Sequence, residues 1–313
     1  MKKIAFVFPG QGSQGVGMGK AFYDQYEDVQ AQVKKADELL DIPLSTYMFE
    51  GPEDTLTKTE HAQPALLLTS SIITGLLKER GVQPQMVAGH SLGEYSALVA
   101  ANAISMDDAL KLVQTRGRLM EEAVPSGEGS MAAVLGLDGE SIEAVTQHVR
   151  DSGEVVEIAN YNCPGQIVIS GSAKGIELAV EQLKEKGAKR AMPLNVSGPF
   201  HSSLMKPASE KFQQTLETVS ILDAEVPVYA NVTAEPIRDQ TRIFELLIEQ
   251  LYSPVRFHET LEKMVSEDLD AIVEVGNGKV LSGLVRKVNR RTKTFAIQDP
   301  ESLEAFIEWY KED

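Results

Sequence analysis

The chain has 313 residues, 42% of them hydrophobic and 24% charged, with one cysteine and a net charge of −16. That length accommodates about two domains with sizeable cores, while a lone Cys163 excludes an internal disulfide or a cysteine-built metal cage. The acidic balance excludes nucleic-acid binding, which needs a basic face, and no stretch reaches the ~20 apolar residues of a membrane span, so a cytoplasmic protein without membrane contact is expected.

In chain order, IAFVF (4–8) reads as a first strand. Its five apolar residues stop at Pro9, too early for the core of a signal peptide. The loop Gly10-Gln11-Gly12-Ser13-Gln14-Gly15 matches the GxGxxG nucleotide fingerprint. Its surroundings do not: Pro9 stiffens the strand end, and a helical run (20–40) stands where a second strand ending in an acidic ribose contact should be. The glycines are read instead as backbone that approaches a ligand closely.

A helix over 63–80 leads to the strand QMVAG, then Gly89-His90-Ser91-Leu92-Gly93, then a helix to Ala101. Strand, GxSxG turn and helix are the elements of a nucleophile elbow, which exposes the serine hydroxyl at a sheet edge. The Leu92 N–H is placed to serve as one oxyanion donor. The plainer reading of Ser91 is a helix cap after a glycine turn.

The helix over 106–123 starts at Ser105, a candidate N-cap. Arg116 sits one turn from Leu112, Val113, Leu119 and Met120, on the apolar stripe rather than the wet face. A core-facing guanidinium needs a carboxylate or strong hydrogen bonds. An internal salt bridge and a fork for a ligand's carboxylate both meet that need.

The pattern then changes to strand, helix, two strands, helix, strand over 126–197, the βαββαβ order of a ferredoxin-like unit. From Ser202 the α/β alternation resumes. The expected fold is therefore α/β: a large α/β-hydrolase-like domain with a parallel sheet (1–125 and 198–313), interrupted by a small ferredoxin-like domain (126–197).

Of five histidines, His61, His148 and His258 lie in polar surroundings and are expected at the surface; His90 is expected to point away from the turn. His201, where the chain returns from the small domain, is the best general base for Ser91. No acidic residue stands out to orient it, so a neutral group is expected in that role. From Lys279 to Lys293 six basic residues occur with no acidic one. This is a solvated helix face or a docking patch for an anionic partner.

The ordered strings FPGQGSQ (8–14), QPA (63–65), GHSLGEY (89–95), QTRGRLM (114–120), NYNCPGQ (160–166), GPFHS (198–202), NVT (231–233), QLYSPV (250–255) and EVGNGKVL (274–281) together resemble the malonyl-CoA:acyl carrier protein transacylase family of bacterial fatty acid synthesis. They are also similar to polyketide synthase acyltransferase domains. The resemblance spans essentially the whole chain.

It implies that Ser91 is acylated, His201 is the base and Arg116 holds the free malonyl carboxylate. It further implies that the N–H groups of Gln11 and Leu92 form an oxyanion hole and that a backbone or side-chain oxygen of Gln250 orients His201. Asn160 and Asn162 would line the site from the small domain, Met120 and Met131 would flank the acyl group, and Phe200 would disfavour a 2-methyl branch. The implied substrates are malonyl-CoA and phosphopantetheinylated acyl carrier protein, with no bound cofactor and no metal, and the chain is expected to act as a monomer. Rejecting acetyl groups by leaving a buried cation unpaired would cost about 2–5 kcal/mol. Carrier proteins being acidic, the basic run at Arg286 and Lys287 becomes the expected docking patch. A serine hydrolase or thioesterase shares the elbow and the base, and is the alternative reading.

Overall fold

The computed structural model of the protein describes residues 2–312. Its elements are β1 (Ile4–Phe8), α1 (Lys20–Gln25), α2 (Glu27–Leu40), α3 (Leu44–Phe49), α4 (Glu53–Thr57), α5 (Thr59–Glu79), β2 (Met86–Gly89), α6 (Gly93–Ala100) and α7 (Met106–Glu122). There follow β3 (Gly129–Leu135), α8 (Gly139–Asp151), β4 (Val156–Cys163), β5 (Gln166–Ser172), α9 (Ala173–Glu185) and β6 (Arg190–Pro193). The chain ends through α10 (Lys206–Leu216), β7 (Val228–Tyr229), β8 (Pro236–Ile237), α11 (Gln240–Gln250), β9 (Val255–Arg256), α12 (Phe257–Val265), β10 (Ala271–Val275), α13 (Val280–Val288), β11 (Thr294–Ile297) and α14 (Pro300–Lys311).

The larger sheet has the order β11-β10-β1-β2-β7-β8, parallel except for β8. Its central strand β1 is buried at every position. Ile4, Phe6 and Phe8 enter one apolar cluster and Ala5 and Val7 another, so both faces are covered, as a parallel sheet requires. Phe8 and Gly89 are in register at the carboxyl ends of β1 and β2. The glycine loop and the Ser91 turn therefore leave the sheet side by side, where ligand crevices form in such sheets.

The second sheet has the order β6-β3-β5-β4-β9, with antiparallel pairings between β3, β4, β5 and β6. Helices α8 and α9 pack on it around Ala132, Val134, Ile158 and Ile169. Its fifth strand, β9, comes from far outside 126–197 and pairs parallel with β4. This strand stitches the two sheets' chain segments together close to Gln250.

Several elements differ from the sequence expectation for identifiable reasons. The helix expected over 20–40 breaks at Tyr26, whose backbone is extended (φ −122°) while its ring stacks on Phe22. Helix α5 begins one turn before the expected start and runs through Pro64. The strand expected in VPVYANV is paired only at Val228 and Tyr229, and the chain leaves the sheet to carry Asn231 beneath the Ser91 turn. His61 is buried, not at the surface: its Nδ1 lies 2.8 Å from the Thr55 carbonyl and its ring packs on Tyr47. His148 is exposed and His258 partly so. No helix among the described residues is long and apolar enough to cross a membrane.

Candidate active site

The turn after β2 is an elbow made possible by two missing side chains. A Cβ on Gly89 would lie 1.9 Å from the Gly93 carbonyl, and one on Gly93 would lie 2.1 Å from the Phe8 oxygen. Strand, turn and helix can approach this closely only with glycine at both places. Ser91 itself holds φ at 52°, a left-handed conformation costly for a non-glycine residue. The turn is held from below by Asn231, whose Oδ1 accepts from the Ser91 N–H (2.8 Å) while its Nδ2 donates to the Gly89 carbonyl (2.7 Å).

Ser91 Oγ lies 2.7 Å from His201 Nε2. His201 Nδ1 lies 2.8 Å from the backbone oxygen of Gln250. A carbonyl only accepts, so Nδ1 carries the proton and Nε2 is the free lone pair facing the serine. This settles which Gln250 oxygen contacts His201: the backbone one. Burial, with the nearby Arg116 cation, pushes the His201 pKa down to about 3, so the imidazole is neutral at pH 7. His201 also holds a left-handed backbone, φ 57°, at the return from the small sheet.

Arg116 projects from α7 and is fully buried. Nη1 donates to Gln63 Oε1 (2.8 Å); Nη2 donates to Gln250 Oε1 (2.9 Å) and to Ser91 Oγ (3.2 Å). The guanidinium also lies over the Tyr95 ring, 5.3 Å from its centroid. No salt bridge holds it among the described residues, so the internal ion-pair reading does not apply. Instead Gln250 bridges it to a buried carboxylate: Gln250 Nε2 donates to Glu94 Oε2 at 2.7 Å. Burial raises the Glu94 pKa to about 7, against hydrogen bonds from Gln250 and the Asn231 N–H and the charge of Arg116.

Ser91, His201, Arg116 and Gln63 line one cavity of about 310 Å³, with Gln250 behind it on Arg116 and His201. The same cavity is lined by Gln11 and Leu92 on the large-sheet side. Neither backbone N–H of these two residues has an acceptor among the described residues. Met120, Met131, Asn160, Asn162 and Phe200 form other parts of the wall. Thus every residue expected at the acyl site is brought together. His90 corrects its expectation: it too lines the cavity, and its Nε2 reaches across to Asn162 Oδ1 on β4 (2.7 Å).

Arg286 and Lys287 lie elsewhere. They are exposed on α13 and, with Pro164 and Arg290, line a separate surface groove. Lys287 Nζ reaches Gln166 at the start of β5 at 3.2 Å, four residues past the cavity residue Asn162.

Four site residues carried no role in the sequence reading: Gln63, Glu94, Tyr95 and Asn231. All sit inside the motif strings. Glu94 had a usable signal, being the one charge in the otherwise apolar helix Gly93–Ala100. Asn231 had none beyond its motif string, because the Ser91 turn it holds is more than a hundred residues away.

The chain matches the family model "Acyl transferase domain" over residues 5–298. It is 56% identical over 313 residues to the malonyl CoA-acyl carrier protein transacylase of Bacillus subtilis (strain 168), covering 100% of this chain and 99% of that one. It is 45% identical over 308 residues to the protein of the same name from Staphylococcus aureus (strain MRSA252), covering 98% and 99%. The crystal structure of an acyl-carrier-protein S-malonyltransferase from Bartonella henselae superposes with a TM-score of 0.95 at 44% identity, covering 98% of this chain and 99% of that one. A malonyl-transacylase solved in complex with its type II polyketide synthase acyl carrier protein gives 0.95 at 41% identity, with the same coverages.

Proposed function

The chain belongs to the acyl transferase domain family, among the malonyl CoA-acyl carrier protein transacylases, and on that premise we propose that it moves a malonyl group from malonyl-CoA to the phosphopantetheine thiol of an acyl carrier protein in fatty acid synthesis. The observation that carries this reading is the buried Arg116, with Nη2 3.2 Å from the Ser91 hydroxyl. A cation at that distance from the nucleophile is matched to an acyl group ending in a carboxylate.

The steps follow from the geometry. His201 Nε2 takes the Ser91 proton as Oγ attacks the thioester carbonyl, and Nδ1–H stays on the Gln250 carbonyl throughout, keeping the ring in the correct tautomer. The N–H groups of Gln11 and Leu92 receive the oxyanion. The C–S bond then breaks, His201 returns its proton to the coenzyme A sulfur, and a malonyl-serine ester remains. The carrier's thiol attacks that ester by the same steps in reverse order. Discharge of the ester to the carrier's thiol rather than to water separates this transfer from the hydrolysis of the alternative reading.

Arg116 discriminates less strongly than an unpaired cation would. Gln63, Gln250 and Tyr95 already hold it in the acyl-free protein. The preference for malonyl over acetyl is then the charge-assisted bond gained, about 1.5–3 kcal/mol, rather than the full cost of a broken buried pair. Phe200, buried against the cavity, would crowd a 2-methyl branch.

We assign the larger unit as α/β-hydrolase-like (1–125 and 198–313) and the smaller as ferredoxin-like (126–197), supported by the strand orders and by the separate apolar cluster of the latter. The reading also has the chain acting as a cytoplasmic monomer without a bound cofactor, with Arg286 and Lys287 meeting an acidic carrier. Brief incubation with malonyl-CoA or acetyl-CoA followed by peptide mass spectrometry tests the core of it. A malonyl adduct on the Ser91 peptide, faint with acetyl-CoA and stable to water on the assay timescale, is expected. Equal labelling by both donors, or rapid discharge to free acid, would return the reading to a hydrolase.

A further inference from the structure

Behind Ser91 lies a carboxylate that the steps above do not use. Glu94, on the first turn of α6, is only 2% exposed. A carboxyl group withdrawn from water to this extent needs donors. It has two, both at Oε2: Gln250 Nε2 at 2.7 Å and the Asn231 N–H at 3.2 Å.

The Gln250 side chain has two chemically opposite ends. Its Nε2 faces three acceptors: Glu94 Oε2, the Ser91 carbonyl (3.0 Å) and Asn231 Oδ1 (3.2 Å). Its Oε1 faces Arg116 Nη2 (2.9 Å). Turned over, the amide would set its NH₂ against a guanidinium that only donates, and its oxygen against Glu94. Glu94 supplies the shortest of the three contacts and so opposes that flip most strongly. The Arg116 nitrogen held by Gln250 is the one that also reaches Ser91 Oγ.

Two simpler explanations fit less well. An acidic residue in a first helical turn is favoured by the helix dipole, but a solvated one would be so without the cost of burial. A direct counter-ion would touch Arg116, yet Gln250 stands between them.

We infer that Glu94 is a positioning residue for malonyl recognition: its Oε2 locks the Gln250 side-chain amide so that Arg116 is aimed at the acyl group on Ser91. This rests on Arg116 as the partner of the malonyl carboxylate. The role belongs to an acceptor oxygen at that reach, not to the negative charge.

Two variants separate these. Glu94→Gln keeps an acceptor at the same reach without the charge; Glu94→Asp keeps the charge but withdraws the oxygen by one methylene. The measurement is the ratio of kcat/KM for malonyl-CoA to that for acetyl-CoA, with pantetheine as acceptor and the melting temperature alongside. Glu94→Asp is expected to lose roughly tenfold or more of the ratio, chiefly through a raised KM for malonyl-CoA, while Glu94→Gln keeps it within about twofold. An unchanged ratio in Glu94→Asp, including an equal fall for both donors, overturns the inference. So does a loss in Glu94→Gln as large as in Glu94→Asp. If the Asp chain does not fold, Glu94→Met, equal in reach but without the acceptor oxygen, takes its place: a lost ratio supports the acceptor role and a retained one overturns it. A wild-type enzyme with no malonyl preference brings down the Arg116 reading itself, and that result is read before either variant.

Discussion

The molecule carries positive charge in two places that could hardly differ more. Arg116 is fully buried, with hydrogen bonds to two glutamine side chains and the nucleophile, and a carboxylate one amide away. Arg286 and Lys287 stand in water along α13, with Thr294 and Gln166 as their side-chain hydrogen-bond partners among the described residues. At low dielectric a fixed charge acts strongly on whatever enters the site and shifts its neighbours' protonation, as it does for His201. In water the same charge acts at longer range, weakly, and is screened by salt. The first arrangement suits recognition of a small anionic group, and the second the capture of a large anionic partner.

That contrast can be broken experimentally. The largest effect belongs to the chemistry itself: His201→Ala should lower the transfer rate about 10²- to 10⁴-fold, with Ser91→Ala giving no acyl adduct at all by mass spectrometry. Arg116→Ala should lower the malonyl-to-acetyl kcat/KM ratio about 10- to 100-fold, and a retained ratio would remove the carboxylate role.

The pH profile sharpens the same point. A base held near pKa 3 stays competent as pH falls, so the acid limb of kcat/KM for malonyl-CoA should lie well below 6.5. In Arg116→Ala the imidazolium loses a repelling neighbour, so the limb moves up, yet stays short of 6.5 because burial, the larger cause, remains. A limb that moves down, or not at all, would dissociate Arg116 from His201. The same depressed pKa bears on stability. The unfolded chain binds a proton at His201 below about 6.5 that the folded chain refuses, so this contribution is present above 6.5 and is lost as pH falls toward 3.

The smallest effect is expected at the surface. Charge reversal at Arg286 and Lys287 together should reduce kcat/KM for the carrier protein about tenfold at low salt and much less at high salt, without changing transfer to free pantetheine. An equal loss with pantetheine would place the damage in the fold rather than in docking.

Local chemistry made much of this legible. The elbow could be read from Gly89, Ser91 and Gly93 because the need for glycine is a steric fact about a few adjacent residues. Arg116 could be read because helical spacing alone puts it on the stripe with Leu112 and Met120. The order of strands and helices over 126–197 followed from periodicity. What escaped was built from groups distant in the chain. Asn231 props the Ser91 turn from a strand that ends early to place it, and β9 joins the small sheet from residue 255, which no pattern within 126–197 announces. His61 looked wet among polar neighbours in sequence, but the Thr55 carbonyl and the Tyr47 ring enclose it.

By itself, then, the sequence determined the α/β architecture and set Ser91 in its glycine turn and Arg116 on the apolar stripe, both properties of side chains at short spacing. Tertiary structure alone decided that the Gln250 backbone oxygen meets His201 Nδ1, that its side-chain oxygen meets Arg116, and that its Nε2 meets Glu94. Hydrogen bonds are directional over a few tenths of an ångström, and that precision arises only when separate segments pack against one another.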